Sequence, residues 1–272
     1  MPYAQIAGSP LLPDTRPIDL YYRDSGGAAE ATLLVLHGGW GYAPYPFDAQ
    51  LAALPDHRFV IPDRTGFGRS PRIAALPPRF HHAAAAEQEA LVDALGIERC
   101  AIWGHSDGAV IAAIMALRRP SRVSAVILEA VHVDRAKPRS RGFFEAMVTD
   151  PDSVGPRLAA RLAADHGDDY WRTVLAVGGR AWLDIAATPD DDLYDHRLPE
   201  LAVPVLVLHG ADDPRTEPGE LDRVARALPG AAIHRLAGGG HAPHSERGAS
   251  AEATAIAARF LRALSHAPSR KP

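Results

Sequence analysis

The chain has 272 residues, of which 47% are hydrophobic and 23% are charged, and its formal net charge is −4 at pH 7. This composition is typical of a globular protein with one large α/β domain, or with a core domain that carries an insertion. The negative charge and the absence of a basic block argue against a nucleic-acid or acidic-membrane partner.

The N-terminal segment and the single cysteine bear on the cellular location. Residues 1–13 carry neither a basic segment nor a long apolar run, so no signal peptide is predicted. No stretch approaches the roughly 20 apolar residues that span a membrane. Cys100 cannot form an internal disulfide, and its apolar surroundings predict a small core side chain. These observations favour a cytoplasmic location.

Short apolar runs alternate with segments of helical periodicity along most of the chain. The apolar runs predict strands at residues 18–22, 32–36, 59–61, 100–103, 123–128, 203–208 and 232–236. The helical periodicity predicts helices at about residues 81–95, 106–119, 218–228 and 250–264. Unbroken apolar strands joined by helices are typical of an α/β fold with a doubly wound, mostly parallel sheet. In such a sheet we expect the ligand site at the carboxyl ends of the strands.

The alternation stops between residues 134 and 198, where no strong strand signal occurs. This interval of about 65 residues is too long for an ordinary loop, and its apolar residues follow helical spacing. We predict an inserted helical cap at 134–198, a core formed by 1–133 and 199–264, and a flexible tail at 265–272. Aromatic residues of the cap and of the loop at 37–41 are expected to line an apolar substrate pocket. They are Trp40, Phe143, Trp171 and Trp182.

The most informative motif is the pentapeptide GHSDG at residues 104–108, between a predicted strand and a predicted helix. A Gly-x-Ser-x-Gly sequence in that context is typical of a nucleophile elbow, a tight turn that exposes the serine, here Ser106. Glycine is needed where the turn leaves no room for a side chain. The N-terminus of the following helix favours negative charge beside the serine.

A serine hydroxyl needs a neighbouring base before it can act as a nucleophile at neutral pH. His241 is the best-placed candidate, because it lies in the loop GGGHAPH at 238–244, after the last predicted strand. His244, three residues later, is the alternative. A metal site made of these two histidines lacks a third ligand, so we predict neither a metal nor a cofactor.

Two adjacent aspartates follow the predicted strand at 203–208. Asp212 and Asp213 both suit the acid that orients a catalytic histidine, and one of the two is expected to bind turn backbone instead. The spacing from Gly210 favours Asp213. Glu129, at the end of another predicted strand, is the fallback.

The loop HGGWG at residues 37–41 follows the predicted strand 32–36 and is rich in glycine. An oxyanion hole needs two backbone N–H donors, one from the residue after the nucleophile and one from such a loop. We therefore predict that the N–H groups of Asp107 and Gly39 form it, with Trp40 as the alternative to Gly39. Glycine at this place lets the backbone approach a reacting carbonyl.

Together these pieces resemble the α/β-hydrolase family, and the match covers most of the chain. It rests on residues 37–38, 63–70 (DRTGFGRS), 104–108, 210–213 (GADD) and 240–241. In that family the acid follows the glycine of a Gly-x-x-Asp motif by three residues, which here gives Asp213. The resemblance implies a triad of Ser106, Asp213 and His241. Serine in the elbow argues against the family's epoxide hydrolases and haloalkane dehalogenases, which attack through a carboxylate.

The motifs and the resemblance predict a serine hydrolase that forms an acyl-enzyme on Ser106. The apolar cap favours a small or medium, largely apolar and uncharged ester or lactone as the small-molecule substrate. Carbon–carbon bond hydrolysis, amide hydrolysis and acyl transfer use the same triad and stay open, as does a non-catalytic ligand receptor of the same fold.

Asp107 departs from the small or amide residues expected after the nucleophile, and its charge would either repel anionic acyl groups or point into solvent. A homodimer also stays open, because no interface patch can be defined.

Overall fold

A computed structural model describes residues 3–14, 16–26, 31–188 and 192–265 of the chain. Its centre is an eight-stranded sheet. The strands are β1 (Tyr3–Ile6), β2 (Ile18–Asp24), β3 (Ala31–Leu36), β4 (His57–Pro62), β5 (Cys100–His105), β6 (Val123–Glu129), β7 (Val205–Gly210) and β8 (Ala232–Leu236). The helices are α1 (Asp48–Ala53), α2 (Phe80–Ala94), α3 (Asp107–Arg118), α4 (Arg141–Thr149), α5 (Pro156–His166), α6 (Trp171–Ala186), α7 (Glu220–Ala227) and α8 (Ser250–Ser265).

The strands are ordered β1-β2-β4-β3-β5-β6-β7-β8 across the sheet. β1 and β2 pair in antiparallel fashion, β2 is antiparallel to β4, and every pair from β4 to β8 is parallel. This arrangement confirms the predicted mostly parallel, doubly wound sheet. Because six parallel strands end at one edge, the loops that follow them gather there.

Helices cover both faces of the sheet, which explains why most residues of the central strands are apolar. Neighbouring residues of a strand point to opposite faces. Ile102 of β5 packs in the same cluster as Val110 of α3, whereas Trp103 packs in the cluster that contains Ile256 and Leu261 of α8. A strand buried on both faces carries no polar alternation.

Two short elements were not predicted from the sequence. β1 lies at the sheet edge and only one of its four residues, Ile6, is buried. α1 has six residues, of which Gln50 is the buried one. Neither segment buries enough apolar surface to leave a periodic pattern.

Between β6 and β7 the chain forms α4, α5 and α6 with a 3₁₀ turn at Pro151–Val154. α4 and α6 pack closely, since a Cβ added to Gly179 would lie 2.6 Å from the carbonyl oxygen of Phe144. The division into core and inserted cap at 134–198 stays a prediction. Ser265 ends α8, and the rest of the predicted tail, residues 266–272, lies outside the described residues. Within the described ranges, no helix is both long and apolar enough to cross a membrane.

Candidate active site

Ser106 occupies the turn between β5 and α3 with φ of 55° and ψ of −119°. A non-glycine residue at positive φ is strained, and such strain persists where the surroundings force it. The flanking glycines provide that constraint. A Cβ on Gly104 would lie 2.1 Å from the carbonyl oxygen of Gly108, and one on Gly108 would lie 2.0 Å from that of Leu36. The structure therefore has the tight elbow that the pentapeptide predicts.

Ser106, His241 and Asp213 form one hydrogen-bonded chain. The Oγ atom of Ser106 lies 3.0 Å from Nε2 of His241, and Nδ1 of His241 lies 3.0 Å from both carboxylate oxygens of Asp213. The N–H of Arg215 also donates to Asp213, at 2.8 Å. Burial raises the pKa of Asp213, but the charge and hydrogen bond of His241 and the N–H of Arg215 hold it below its ordinary value. The carboxylate stays ionised and fixes the proton of His241 on Nδ1.

The alternative base and the fallback acid pair with each other instead. Nδ1 of His244 donates to Glu129 at 2.7 Å, and its Nε2 donates to the carbonyl oxygen of Tyr45 at 3.0 Å. With acceptors on both ring nitrogens, His244 has no free nitrogen to act as a base. Burial raises the pKa of Glu129, but His244 outweighs this and lowers it to about 2. Asp212 is exposed, and its N–H donates to the carbonyl oxygen of Gly239 at 3.0 Å.

The glycine-rich loop after β3 lies against the elbow. A Cβ on Gly38 would lie 3.2 Å from Cβ of Ser106, and one on Gly39 would lie 2.7 Å from Oδ2 of Asp107. Glycine is therefore required for this close approach. The guanidinium of Arg64 donates to the carbonyl oxygen of Gly38 at 3.2 Å and holds the loop from below. That the N–H groups of Gly39 and Asp107 form an oxyanion hole stays a prediction.

The carboxylate of Asp107 is buried and points away from solvent, which corrects one of the two expectations for it. It accepts hydrogen bonds from Nε2 of His81 at 3.0 Å and from Nε1 of Trp182 at 3.1 Å. Burial raises the pKa of Asp107, but the hydrogen bond and charge of His81 and the charge of Arg64 keep it below its ordinary value. Asp107 thus links the elbow to α6.

A cavity of about 330 Å³ opens above Ser106 and is walled largely by aromatic rings. Three of the four predicted pocket residues line it, namely Trp40, Phe143 and Trp182. Trp171 does not, and is buried in the hydrophobic core at 3% exposure. Trp171 and Trp182 lie on one face of α6 but about three turns, or roughly 16 Å, apart. Only the later residue reaches the cavity, which corrects the prediction for Trp171.

Sequence reasoning missed Lys137, which lines the cavity. Its ammonium lies 3.1 Å from Nδ1 of His132 and 2.5 Å from Oε1 of Glu220. Lys137 stands in the charged segment DRAKPRSR at 134–141, which favours a solvated loop. The one feature of the sequence that sets Lys137 apart is that lysine is rare in this chain, which contains one other, Lys271.

No group of three or more His, Cys, Asp or Glu side chains in the described part of the chain is arranged to hold a metal ion. The chemical capacity of the site is that of a hydroxyl with an imidazole and a carboxylate in line, facing an aromatic cavity.

Comparison with known proteins places this chain in a family. A model of the alpha/beta hydrolase family matches residues 33–255. The chain is 26% identical over 245 residues to human serine hydrolase BPHL, covering 84% of this chain and 78% of that protein. It is 27% identical over 222 residues to the bifunctional esterase/perhydrolase DCH of Acinetobacter calcoaceticus, covering 72% of this chain and 79% of that protein.

Solved structures share the fold along almost the whole chain. A thermophilic esterase from Thermogutta terrifontis superposes with a TM-score of 0.73 at 21% identity, covering 96% of this chain and 98% of that one. The enol-lactonase from Burkholderia xenovorans LB400 superposes with a TM-score of 0.71 at 23% identity, covering 96% of this chain and 100% of that one. At these identities the likeness establishes the fold. Together with the family match, it shows that this chain is an enzyme of the alpha/beta hydrolase family.

Proposed function

We propose that this enzyme is a serine hydrolase that cleaves small or medium, largely apolar carboxylic esters or lactones. The observation that carries the proposal is the chain of 3.0 Å contacts from Ser106 through His241 to Asp213, at the floor of an aromatic cavity. A nucleophile, a base and an orienting acid within hydrogen-bond reach are the parts that acyl transfer needs.

In the first half of the reaction Ser106 Oγ attacks the substrate carbonyl carbon while Nε2 of His241 takes the serine proton. Asp213 keeps the proton of Nδ1 in place and stabilises the imidazolium that forms. The N–H groups of Gly39 and Asp107 donate to the oxyanion. When the tetrahedral adduct collapses, the leaving oxygen takes the proton from His241 and departs as an alcohol, and the acyl group remains on Ser106.

In the second half a water molecule attacks the acyl carbon, and His241 accepts its proton. The adduct then collapses, Ser106 recovers a proton from His241, and the acid product leaves. The cycle returns every group to its starting protonation state. A lactone follows the same path, except that the leaving alcohol stays joined to the product.

The aromatic wall supports an apolar substrate. Trp40, Phe143 and Phe144 follow one another with ring centroids 5.7 and 5.4 Å apart, and Phe144 stacks on Trp182 at 5.5 Å. Cavities of this size lined by such rings suit ligands with few polar groups. The esterase activity named for the Acinetobacter relative is in line with this choice of substrate.

The test is hydrolysis of p-nitrophenyl acetate and butyrate by the purified protein and by Ser106→Ala. We expect turnover by the wild type and a loss of at least about 10³-fold in the variant, because no other side chain replaces the nucleophile. An unchanged rate in Ser106→Ala would refute the proposal.

A fluorophosphonate probe separates the enzyme from a receptor of the same fold. An activated serine displaces fluoride from phosphorus and keeps the phosphonyl group, so intact-mass analysis should show one adduct that maps to Ser106. Binding of a ligand without labelling would favour the receptor.

A further inference from the structure

A buried lysine forms part of the cavity wall. The side chain of Lys137 is 1% exposed and lies beside the indole of Trp182, with Nζ 6.0 Å from the ring centroid. Taking an ammonium out of water costs several kcal/mol unless other groups compensate. A buried charge at a cavity therefore needs either a structural or a ligand-binding explanation.

Glu220 compensates the charge of Lys137, but its own carboxylate has other hydrogen-bond donors. The backbone N–H groups of Val133 and Asp134 donate to Oε1 of Glu220 at 3.0 and 3.2 Å, and that of Glu217 donates to Oε2 at 3.0 Å. The carboxylate is thus satisfied by three backbone donors before Lys137 is counted. Glu220 is fully buried and does not line the cavity, whereas Lys137 does. A molecule in the cavity would therefore contact the ammonium of Lys137 and not the carboxylate of Glu220.

The ammonium retains one donor for a molecule in the cavity. An ammonium has three N–H groups. Among the described residues, two atoms accept hydrogen bonds from it, Oε1 of Glu220 and Nδ1 of His132. The chain has 29 basic residues, yet this position holds one of its two lysines. The ammonium of a lysine is a compact charge, whereas the planar guanidinium of an arginine would occupy more of the cavity.

The same contact orients a second donor. Because Lys137 donates to Nδ1 of His132, the neutral ring carries its proton on Nε2. His132 lines the cavity and stacks on His241, with ring centroids 5.8 Å apart and an interplanar angle of 17°. Since His241 delivers a proton to the departing oxygen in the proposed reaction, His132 and Lys137 lie on the leaving-group side.

The two other carboxylates of the wall accept hydrogen bonds from protein groups, and its other cation lies over an aromatic ring. The carboxylate of Asp107 is bound by His81 and Trp182, and that of Glu246 accepts from the N–H groups of Gly240 and Ala242. The guanidinium of Arg215 covers the ring of Phe143, with its central carbon 3.3 Å from the centroid. No described residue accepts a hydrogen bond from this guanidinium, so Arg215 is the competing cation of the cavity. Lys137 and His132 are distinguished from it by their place beside the ring of His241.

We propose that the preferred substrate carries a carboxylate on its leaving-group side, held by the ammonium of Lys137 and the Nε2–H of His132. The acyl part remains apolar and lies against the aromatic wall. This inference rests on the proposed function, because it assigns the two ends of the substrate from the direction of proton delivery. Among the largely apolar esters of that proposal, it selects those whose leaving group is a hydroxy acid.

Two substrates with the same acyl group test it, namely 3-acetoxybenzoate and its methyl ester. Charge-assisted hydrogen bonds are roughly twice as strong as neutral ones, so we expect wild-type kcat/KM to be roughly tenfold higher for the carboxylate. Lys137→Met should lower that preference by at least about tenfold. Comparing the ratio of the two rates cancels any general loss of activity in the variant.

The control variant is Arg215→Met, which removes the other cation of the cavity. If Arg215→Met abolishes the preference and Lys137→Met does not, the carboxylate lies elsewhere and the inference is wrong. If the wild type hydrolyses the methyl ester and not the carboxylate, the inference fails while the proposed function stands. If it hydrolyses neither this pair nor the p-nitrophenyl esters, the proposed function itself fails.

A second measurement needs no variant. The product 3-hydroxybenzoate and its methyl ester can be compared as inhibitors of p-nitrophenyl butyrate hydrolysis by the wild type. We expect the carboxylate to bind roughly tenfold more tightly. Equal inhibition constants would overturn the inference even if Lys137→Met fails to fold.

Discussion

Nε2 of His105 lies 2.9 Å from the carbonyl oxygen of His241, so the residue before Ser106 holds the loop that carries His241. A carbonyl only accepts hydrogen bonds, so this nitrogen donates. Burial, reinforced by the charges of His241 and His244, lowers the pKa of His105 to about 3, and its ring is neutral near pH 7. The distance between elbow and base is thus fixed by a direct hydrogen bond.

We expect His105→Ala to lower kcat for p-nitrophenyl butyrate by roughly fivefold with a smaller change in KM, because one hydrogen bond is worth about 1 kcal/mol. His105→Gln retains an N–H donor and should recover most of the loss. Steady-state kinetics on both variants check this. Wild-type kcat in His105→Ala would show that the bond does not position His241.

Asp213→Asn should lower kcat by about 10³- to 10⁴-fold, because an amide no longer holds the proton of His241 on Nδ1. The matched control is Asp212→Asn, one residue earlier, whose side chain is exposed. That variant should keep kcat within about twofold. Similar losses in both variants would point to the turn itself and not to the carboxylate of Asp213.

Stability should fall as the pH drops below about 6.5, in part because of His209. Burial lowers the pKa of this histidine from 6.5 to about 4, with Asp213 opposing the shift. The folded state then binds fewer protons than the unfolded state between these values, so the stabilisation present above pH 6.5 is lost as the pH falls to 4.

At pH 5 this single group accounts for about 2 kcal/mol of the loss. Urea unfolding of wild type and His209→Gln at pH 7 and pH 5 measures it. The difference in unfolding free energy between the two pH values should be smaller in the variant by about that amount. An equal difference in both proteins would mean that His209 is not held neutral by the fold.

His166 of α5 joins that helix to the loops that contain Gly68 and Trp40. The N–H of Gly68 donates to its Nδ1 at 2.9 Å, and its Nε2 donates to the carbonyl oxygen of Trp40 at 3.0 Å. His166→Leu leaves both backbone groups unpaired, at a cost of about 1–3 kcal/mol each.

We therefore expect His166→Leu to lower the free energy of unfolding and to raise KM for short esters, because Trp40 borders the cavity. Chemical denaturation and initial rates test both effects. A variant that loses stability while KM stays at the wild-type value would show that the histidine does not position the loop.

The sequence was sufficient for the scaffold because the scaffold depends on local patterns. Continuous apolar runs mark strands buried on both faces, and glycines mark the places where the elbow and the loop of Gly38 and Gly39 approach each other. The strand ends then bring together Ser106, Asp213 and His241, which are far apart along the chain. Family identity follows from the same features.

What could not be predicted depends on how helices pack above the sheet. Helical spacing places Trp171 and Trp182 on one face of α6, but it does not say which turn meets the cavity. Lys137 has the sequence context of a surface residue, and its burial depends on Glu220, a residue of a distant helix. The carboxylate of Asp107 is buried only because His81 and Trp182 come from two other helices to meet it.

The hydrogen bond between Trp182 and Asp107 means that the helices α4 to α6 and the turn at Ser106 cannot be exchanged independently. Transplanting α4 to α6 from a relative would remove one of the two side-chain hydrogen bonds to this buried carboxylate unless the incoming helix supplied an indole at the same position. Changing residue 107 along with the transplanted segment removes that obstacle. Asp107 and Trp182 are therefore the first residues to change when the substrate range of the cavity is redesigned.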